Sequence, residues 1–360
     1  MKPKIAFIID ALPSVGGAEK VLIASLELFP DAPVYTLIYN RDKFIETPLP
    51  GHPVVTSYIN RLPFAHDHYR SYLPLMPAAI EHFDLRQYDI LLSFSYAVAH
   101  GVSTAPGQRH ISYTFTPMRY AWRDGEYETL YPHANHWIEG LFNSFRKWDV
   151  STVQHIDQLA AVSQWIAGWI EHVYQREARV IYPPVEIERF QPQSHREDYY
   201  ITVSRLVAHK RVDLIVEAFG QLKLPLIVVG EGPEYWRLVQ KATDNIRVIG
   251  YQSDAAVANL LNKARAFVIS SEEDFGIAVV EAQAAGCPVI AYGRGGVLET
   301  VIDGQTGIFY CEQTVESLVA AVQCFEHRLK DFHHSEIQVN TRRFNKAHFQ
   351  QELISFITQL

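Results

Sequence analysis

The 360-residue sequence has few cysteines, no excess of positive charge and no long apolar run. Its three cysteines, Cys287, Cys311 and Cys324, lack paired spacing, which argues against a disulfide framework or a zinc site and indicates reduced thiols. A formal net charge of −8 argues against nucleic acid as the main partner, because a phosphate backbone selects for a basic surface. No apolar stretch approaches the ~20 residues that cross a bilayer, and residues 5–9 meet Asp10 too early for a signal-peptide core. We therefore expect a cytoplasmic protein whose membrane contact, if any, is peripheral on the inner face.

A complete Gly-x-Gly-x-x-Gly pattern is also missing. The loop Gly16-Gly17 and the pair Gly230-x-Gly232 each fall short of it. The sequence therefore argues against a dinucleotide oxidoreductase.

Strand-like and helix-like segments alternate along the chain. This alternation predicts βαβ units and mostly parallel sheets. In the first half the segments are strand 4–9, helix 18–28, strand 34–39 and strand 90–93, and the pattern restarts with strand 200–203, helix 212–219 and strands 226–229, 246–249, 266–269 and 288–291. The extended double proline Pro183-Pro184 marks the hinge. We predict an α/β protein of two doubly wound domains, residues 1–178 and 179–343, with a helix over 344–360 that packs back on the first.

Residues 270–282 carry the most informative motif, Ser-Ser-Glu-Glu-Asp-Phe-Gly-Ile-Ala-Val-Val-Glu-Ala. They lie where an apolar strand gives way to an Ala-rich helix, a place where parallel sheets bind ligands. Glu273 and Glu281 are eight positions apart, about 12 Å at a rise of ~1.5 Å per residue, roughly the distance from the sugar of a nucleotide sugar to its ribose. The N–H groups at the helix start would face the phosphates between them. Alone, such a pair is more typical of a turn carboxylate and a helix-face carboxylate.

Together with other motifs, this segment resembles the Glu-x-Phe-Gly-x-x-x-x-Glu signature of the retaining family-four glycosyltransferases, also called glycosyl transferases group 1. Segments in the family's order and approximate spacing are Gly16-Gly17-Ala18-Glu19, Ser204-Arg205, Lys210-Arg211, 229–233, 248–251 and 295–299. The resemblance covers essentially the whole chain. It implies the GT-B architecture, with two Rossmann-like domains facing across a cleft, the acceptor in the first and the nucleotide-sugar donor in the second. It also implies transfer with retention of configuration.

The resemblance implies roles for particular residues. Arg205 and Lys210 would stabilise charge on the departing diphosphate; their position at a helix start is unfavourable against the helix dipole unless an anion binds there. Glu273 would accept hydrogen bonds from the transferred sugar and Glu281 from the ribose. The predicted catalytic residues are Arg205, Lys210 and Glu273. The predicted donor-binding residues are Gly16, Gly17, Arg205, Lys210, Gly250, Tyr251, Glu273, Phe275, Gly276, Ile277 and Glu281.

We predict no metal and no other cofactor. The chain has no Asp-x-Asp tripeptide, with which glycosyltransferases of the other main fold present a divalent cation to the diphosphate. Glu126-x-Glu128 and Glu186-x-Glu188 are weak metal candidates and more typical of solvated pairs.

The acceptor side is predicted from residues 110–122, which resemble the family segment ending in Thr-Pro-Met-Arg-Tyr, common among enzymes that use lipid-linked or polysaccharide acceptors. Many relatives have His where Phe115 stands, which shifts attention to Arg119 and to His100. His100 would either face the cleft at a strand end or be packed inside. The predicted acceptor-side residues are Glu19, His100 and Arg119.

The segment at residues 110–122 also favours GDP-mannose as donor, with a UDP-hexose as the alternative.

A stripe of apolar and aromatic residues recurs at helical spacing. It is typical either of a core or interdomain contact or of an interfacial helix at a lipid surface. Its members are Trp137, Ile138, Leu141, Phe142, Phe145 and Trp148. Two other functions stay open: a nucleotide-sugar epimerase or hydrolase, and a non-catalytic nucleotide-sugar-binding subunit, which Phe115 would fit.

Overall fold

A computed structural model describes residues 3–122, 136–191 and 196–358. The chain divides into two compact units, one of Met1–Pro184 with Phe349–Leu360 and one of Val185–His348. Among the described residues, no helix is long and apolar enough to cross a membrane.

The first unit is built on a parallel sheet. Its seven strands within the described residues have the order β3-β2-β1-β4-β5-β6-β7. They are Ile5–Ile9 (β1), Val34–Thr36 (β2), Val54–Thr56 (β3), Ile90–Ser95 (β4), Arg109–Thr114 (β5), Gln158–Ala161 (β6) and Arg179–Val180 (β7). The helices are Gly17–Leu26 (α1), Ala65–His68 (α2), Met76–Glu81 (α3), Arg119–Trp122 (α4), His136–Val153 (α5) and Gln164–Tyr174 (α6). β1 and β4 are buried along their whole length, as expected for strands covered on both faces.

The second unit repeats this architecture. Within its described residues six parallel strands have the order β10-β9-β8-β11-β12-β13. They are Tyr200–Val203 (β8), Leu226–Val229 (β9), Ile246–Val248 (β10), Ala266–Ile269 (β11), Val289–Tyr292 (β12) and Gly307–Tyr310 (β13). The helices are Val212–Leu222 (α7), Tyr235–Lys241 (α8), Asp254–Lys263 (α9), Ile277–Ala284 (α10), Val297–Thr300 (α11), Val315–His327 (α12) and His334–Asn340 (α13).

The last described helix, Lys346–Thr358 (α14), runs into the first unit. Its apolar side chains Phe349, Leu353, Phe356 and Ile357 are buried. The ring of Phe349 lies edge-on to that of Tyr113 in β5, with centroids 5.9 Å apart. Residues 349–357 therefore contribute to the core of the first unit.

The predicted fold class is confirmed: both units are α/β with parallel, doubly wound sheets. The predicted strand 34–39 is too long, because β2 ends at Thr36 and Leu37 bonds instead to the carbonyl of Asp10. All three cysteines are unpaired, with Cys287 buried.

Candidate functional site

The ends of β8 and β11 bring the predicted cation and carboxylate together. These strands are parallel neighbours in the second unit. After β8 the chain passes through residues 204–207 into a short 3₁₀ turn, Ala208–Lys210, and after β11 it passes through residues 270–276 into α10. Since carboxyl ends of parallel strands meet at one edge of a sheet, the two loops lie side by side.

Lys210 and Glu273 form a direct ion pair across these loops. The Nζ atom of Lys210 donates to Oε1 of Glu273 at 2.6 Å and to Oε2 at 2.8 Å. The Lys210 side chain is 18% exposed and that of Glu273 14% exposed, so both charges are largely withdrawn from water. The hydroxyl of Ser271 also donates to Oε1. Charge-assisted bonds of this kind fix the carboxylate in position.

The turn that follows Glu273 is shaped by glycine. Gly276 precedes α10 with φ +91°, a backbone conformation that side chains disfavour. A Cβ on Gly295 would come within 2.4 Å of the Glu273 carbonyl, which also accepts the N–H of Gly296 at 2.7 Å. The ring of Phe275 is buried against Phe344, 5.2 Å between centroids. The Gly295-Gly296 loop thus supports the Glu273 turn, and Phe275 anchors it by its ring.

Two glycines hold the loop that bears Arg205. A Cβ on Gly230 (φ +138°) would lie 1.8 Å from the carbonyl oxygen of Ser204, and one on Gly232 (φ +152°) would lie 2.2 Å from that of Leu206. The Leu206 N–H donates to Glu231 at 2.7 Å. Gly230 and Gly232 therefore allow their backbone to pack closely against the loop of residues 204–206. Arg205 itself is exposed.

The predicted base-binding loop adjoins these glycines. The N–H of Gly230 donates to the Gly250 carbonyl at 2.9 Å, and Gly250 has φ +71°. The side chain of Tyr251 is 69% exposed. Gly250 is therefore tied to the loops at the strand ends, whereas the ring of Tyr251 is presented to solvent.

Glu281 makes its ion pair with a residue that the sequence did not suggest. Glu281 lies on α10, and its Oε1 accepts from Nη2 of Arg189 at 2.5 Å. Nη1 of the same guanidinium donates to Asp254 at the start of α9, at 2.7 Å. Arg189 and Ser271 are the two residues of this site that sequence reasoning missed. Serine hydroxyls close to Glu273 were readable from the motif, but nothing in the spacing of Arg189 marks it.

A metal site would need several ligand side chains close together. Among the described residues, no set of three or more His, Cys, Asp or Glu side chains is arranged as a metal site. Glu186 lies beside Arg189 on the rim of a surface pocket. Glu126 and Glu128 lie outside the described residues.

In the first unit the Gly16-Gly17 loop leads into α1. The backbone of Gly16 is extended, and a Cβ there would lie 2.9 Å from the Glu19 carboxylate. Glu19, in the first turn of α1, is buried. Gly16 therefore allows the backbone to approach the Glu19 carboxylate.

His100 lies inside the first unit. It is 4% exposed, with Nδ1 2.7 Å from Ser95 Oγ and Nε2 2.9 Å from Asp149 Oδ1. Asp149 also accepts bonds from the Trp122 indole and the Tyr174 hydroxyl, at 2.6 and 2.7 Å. The sequence left open whether His100 faces the cleft or is packed inside, and in the structure it is packed inside.

The other predicted acceptor-side residue, Arg119, begins α4 and is half-buried, and its N–H donates to the Tyr96 carbonyl at 3.0 Å. The half-buried ring of Phe115 lies against Tyr113, with centroids 5.4 Å apart. Nearby, His110 is 1% exposed and bonded to Ser93, and burial lowers its pKa to about 3. His110 is therefore a neutral structural histidine.

The aromatic side chains of α5 that the structure describes face the core of the first unit. Phe142 and Phe145 are buried in the core of the first unit. The Trp148 indole N–H donates to Glu81 at 2.6 Å. The side chains of Trp137 and Ile138 lie outside the described part of the chain.

A family model matches most of the second unit. The family model for glycosyl transferases group 1 matches residues 185–334. An uncharacterized glycosyltransferase of Methanocaldococcus jannaschii is 29% identical over 157 residues, which cover 42% of this chain and 44% of that protein. A glycogen synthase of Xanthomonas euvesicatoria is 28% identical over 205 residues, covering 54% of this chain and 38% of that protein. The match spans less than half the length of these curated relatives.

Solved structures match almost the whole chain. HepE of Anabaena, in complex with UDP-glucose, has a TM-score of 0.73 at 17% identity and covers 99% of this chain and 100% of its own. Sucrose-phosphate synthase of Thermosynechococcus elongatus has a TM-score of 0.78 at 17% identity and covers 99% of each chain. These likenesses show the GT-B fold. The family match over the second unit and the fold of the whole chain together support a group 1 glycosyltransferase.

Proposed function

We propose that this chain is a retaining glycosyltransferase that moves a hexosyl group from a nucleotide sugar to a glycan or lipid-linked acceptor. The observation that carries the proposal is the Lys210–Glu273 ion pair, at the carboxyl edge of the sheet and beside the start of α10. A cation and a carboxylate meet there beside a helix N-terminus, whose N–H groups favour a bound anion, and this supports donor binding at the pair. The family match covers this region.

In the proposed complex, each member of the pair binds a different part of the donor. Lys210 contacts the diphosphate, while Glu273 accepts hydrogen bonds from hydroxyls of the transferred sugar. The exposed guanidinium of Arg205, on the adjoining loop, adds a second positive charge to the diphosphate. Fixed charges aimed at a departing diphosphate lower the barrier because they need no reorganisation during the reaction.

The reaction we propose uses no nucleophilic side chain. The bond from the anomeric carbon to the diphosphate oxygen breaks, and the acceptor oxygen forms a bond to the same face of that carbon. The acceptor proton passes to the leaving phosphate oxygen. Arg205, Lys210 and Glu273 act by electrostatics and positioning, and no metal is required.

The donor we propose first is GDP-mannose, on the strength of the Thr-Pro-Met-Arg-Tyr segment at residues 116–120. Glu281 would bind the ribose and the loop at Gly250 and Tyr251 the base. A UDP-hexose is the alternative, since HepE, with the same fold, was solved with UDP-glucose. At 17% identity that likeness concerns the fold and leaves the base to experiment.

We place the acceptor contacts in the first unit, with Glu19 and Arg119. A lipid-linked acceptor would bring the protein to a membrane surface. Because Phe142 and Phe145 are buried in the core, their side chains are not available for contact with lipid, which argues against α5 as an interfacial helix. The exposed side chains of Phe64 (77%) and Tyr58 (43%) are better placed to touch headgroups, with Arg61 and Arg70 near in sequence.

One experiment tests the proposal in two steps. Titration calorimetry with GDP, UDP and ADP identifies the base, and labelled GDP-mannose or UDP-hexose is then incubated with pooled acceptors, either free glycans or lipid-linked glycans in vesicles. We expect tightest binding of GDP and an α-linked product from an α-linked donor, seen by mass spectrometry and NMR.

Other outcomes would contradict parts of the proposal. A preference for UDP of about tenfold or more, some 1.4 kcal/mol, overturns mannose transfer. Donor consumption without acceptor would indicate a hydrolase or epimerase. Donor binding without any turnover would indicate a non-catalytic subunit, and inversion of the anomeric configuration would overturn the retaining mechanism.

A further inference from the structure

Arg189 connects three separate elements of the second unit. It ends a 3₁₀ turn, Ile187–Arg189, and its side chain is 19% exposed. One end of its guanidinium donates to Glu281 of α10 at 2.5 Å and the other to Asp254 of α9 at 2.7 Å. Its central carbon lies 4.7 Å from the ring centroid of Phe190. The guanidinium plane is thus fixed by two carboxylates and an aromatic ring.

This arrangement restricts the Glu281 carboxylate. The Glu281 side chain is 11% exposed, and Arg189 binds its Oε1. An ionised carboxylate offers about four acceptor sites, and the charge-assisted bond from Arg189 occupies one of them and restricts the orientation of the group. We infer that Arg189 is a positioning residue for nucleotide binding: it holds Glu281 in the orientation that accepts the ribose hydroxyls. The inference rests on the proposed function, which assigns the ribose to Glu281.

The ion pairs of Arg189 with Glu281 and Asp254 are not well explained by a contribution to folding stability. The outer carboxylate, Asp254, is 67% exposed, and ion pairs with so much water contribute little to folding. Burying the inner pair carries a desolvation cost that can exceed the attraction between the charges. Arg189 also lines a surface pocket of polar side chains, which include Gln191, Asn259 and Asn262. The Arg189 side chain therefore lies next to a pocket on the surface of the unit.

The same unit contains a matched control. Arg265 also links two carboxylates, Glu326 at 2.7 and 2.5 Å and Asp198 at 3.0 Å, and its side chain is 23% exposed. No predicted ligand residue takes part in that network. Arg265→Gln therefore removes a similar bridge from the same unit without touching Glu281.

The test compares a nucleotide with its analogue that lacks ribose hydroxyls. Affinities for GDP and 2′,3′-dideoxy-GDP, or for the UDP pair if UDP binds tighter, are measured by calorimetry. The wild type should bind the dideoxy analogue about tenfold more weakly, the scale of one lost bond to a charged group. Arg189→Gln should weaken the normal nucleotide about tenfold and the analogue hardly at all, as Glu281→Gln should.

Two further variants and the kinetics refine the test. Arg265→Gln should keep the wild-type discrimination, and Arg189→Lys should restore part of it, because an ammonium can contact one carboxylate but not span two. In turnover assays Arg189→Gln should raise the donor KM with little change in kcat, the pattern of lost uniform binding. A purely structural role for Arg189 would instead lower thermal stability in both arginine variants alike.

Different outcomes would contradict the role of Arg189 and the proposed function. If Arg189→Gln keeps full discrimination between the two nucleotides, the inference is wrong while the proposed function stands. If the wild type itself binds no nucleoside diphosphate, or fails to discriminate, the assigned role of Glu281 is wrong. Should Arg189→Gln not fold, Asp254→Asn loosens the guanidinium without removing it. That folded variant should lose part of the discrimination, and an unchanged ratio would contradict the inference.

Discussion

At the scale of single residues, the ammonium of Lys210 is the group whose removal tests the chemistry most directly. Lys210→Met removes the charge while keeping most of the side-chain length. We expect kcat to fall about 10²–10³-fold, because a fixed charge that stabilises a departing diphosphate is worth several kcal/mol in a site shielded from water. Steady-state turnover of the preferred donor measures the effect.

The control for this substitution is Lys241→Met, an exposed lysine at the end of α8. It removes the same charge from the same unit and should leave kcat within about twofold, since distant surface charges are screened by solvent. Adding EDTA should not change the wild-type rate. Unchanged turnover in Lys210→Met, or loss of wild-type activity in EDTA, would contradict the proposal that protein cations replace a metal.

The order of motifs in the sequence predicts Glu273 and Lys210 as site residues, and the structure shows an ion pair between them. Arg189 could not, because its bond to Glu281 spans 92 positions and depends on how a 3₁₀ turn meets α10. His100 shows a related limit. It lies in a 3₁₀ turn, Ala99–Gly101, rather than at the end of β4, and the sequence does not reveal its contact with Asp149 in a helix far along the chain.

At the scale of elements, Gly230 tests whether the loop after β8 is held by backbone packing. Gly230→Ala would place a Cβ 1.8 Å from the Ser204 carbonyl at a φ of +138°. We expect a loss of about 2–3 kcal/mol in the free energy of unfolding, from strain and the forced shift of the loop. Because that loop bears Arg205, nucleotide affinity should fall as well. Urea denaturation and calorimetry measure the two effects.

Gly220→Ala is the matched control. Gly220 lies inside α7, and a Cβ there would be 3.7 Å from the nearest atom, Oγ1 of Thr243, an ordinary contact. Alanine in a helix interior should raise stability by up to about 1 kcal/mol and leave binding unchanged. Equal stability losses in both variants would show that the close approach of Gly230 to Ser204 has no energetic consequence.

Strands could be predicted closely where a short apolar run is bounded by turn residues. The predicted strands 226–229 and 266–269 agree with β9 and β11. The prediction of 34–39 failed because Leu37 and Ile38 are as apolar as a strand, while their backbone bonds follow the neighbouring loop. Hydropathy reports burial, and it does not report which backbone groups pair.

At the scale of the whole molecule, alternation of strands and helices predicted two parallel α/β sheets because each βαβ unit carries its own local signal. The apolar stripe of Phe349, Leu353 and Phe356 predicts a helix, whereas its packing on the first unit was inferred from the architecture that the family resemblance implies. The order of strands within each sheet was not predicted, because it depends on contacts between segments far apart in sequence.

Acid sensitivity is a property of both units. The first contains His110, whose pKa burial lowers to about 3, and the second contains His334, whose pKa burial and the nearby Arg196 lower. Between pH 6.5, the usual histidine pKa, and the lowered values, the unfolded chain binds protons that the folded chain does not. The free energy of unfolding should therefore fall as the pH drops below about 6.5, by up to ~1.4 kcal/mol per pH unit for the fully buried His110 and by less for the half-buried His334.

The contribution of His110 can be separated from that of the carboxylates. Five of the six tryptophans lie in the first unit, so tryptophan fluorescence during urea denaturation reports mainly on that unit. His110→Gln should be less stable than the wild type at pH 7.5 but lose less stability between pH 7 and pH 5, because one proton-linked group is gone. The exposed His172→Gln should keep the wild-type pH slope. If His110→Gln and the wild type have the same slope, the buried histidine is not the source of the acid sensitivity of the first unit.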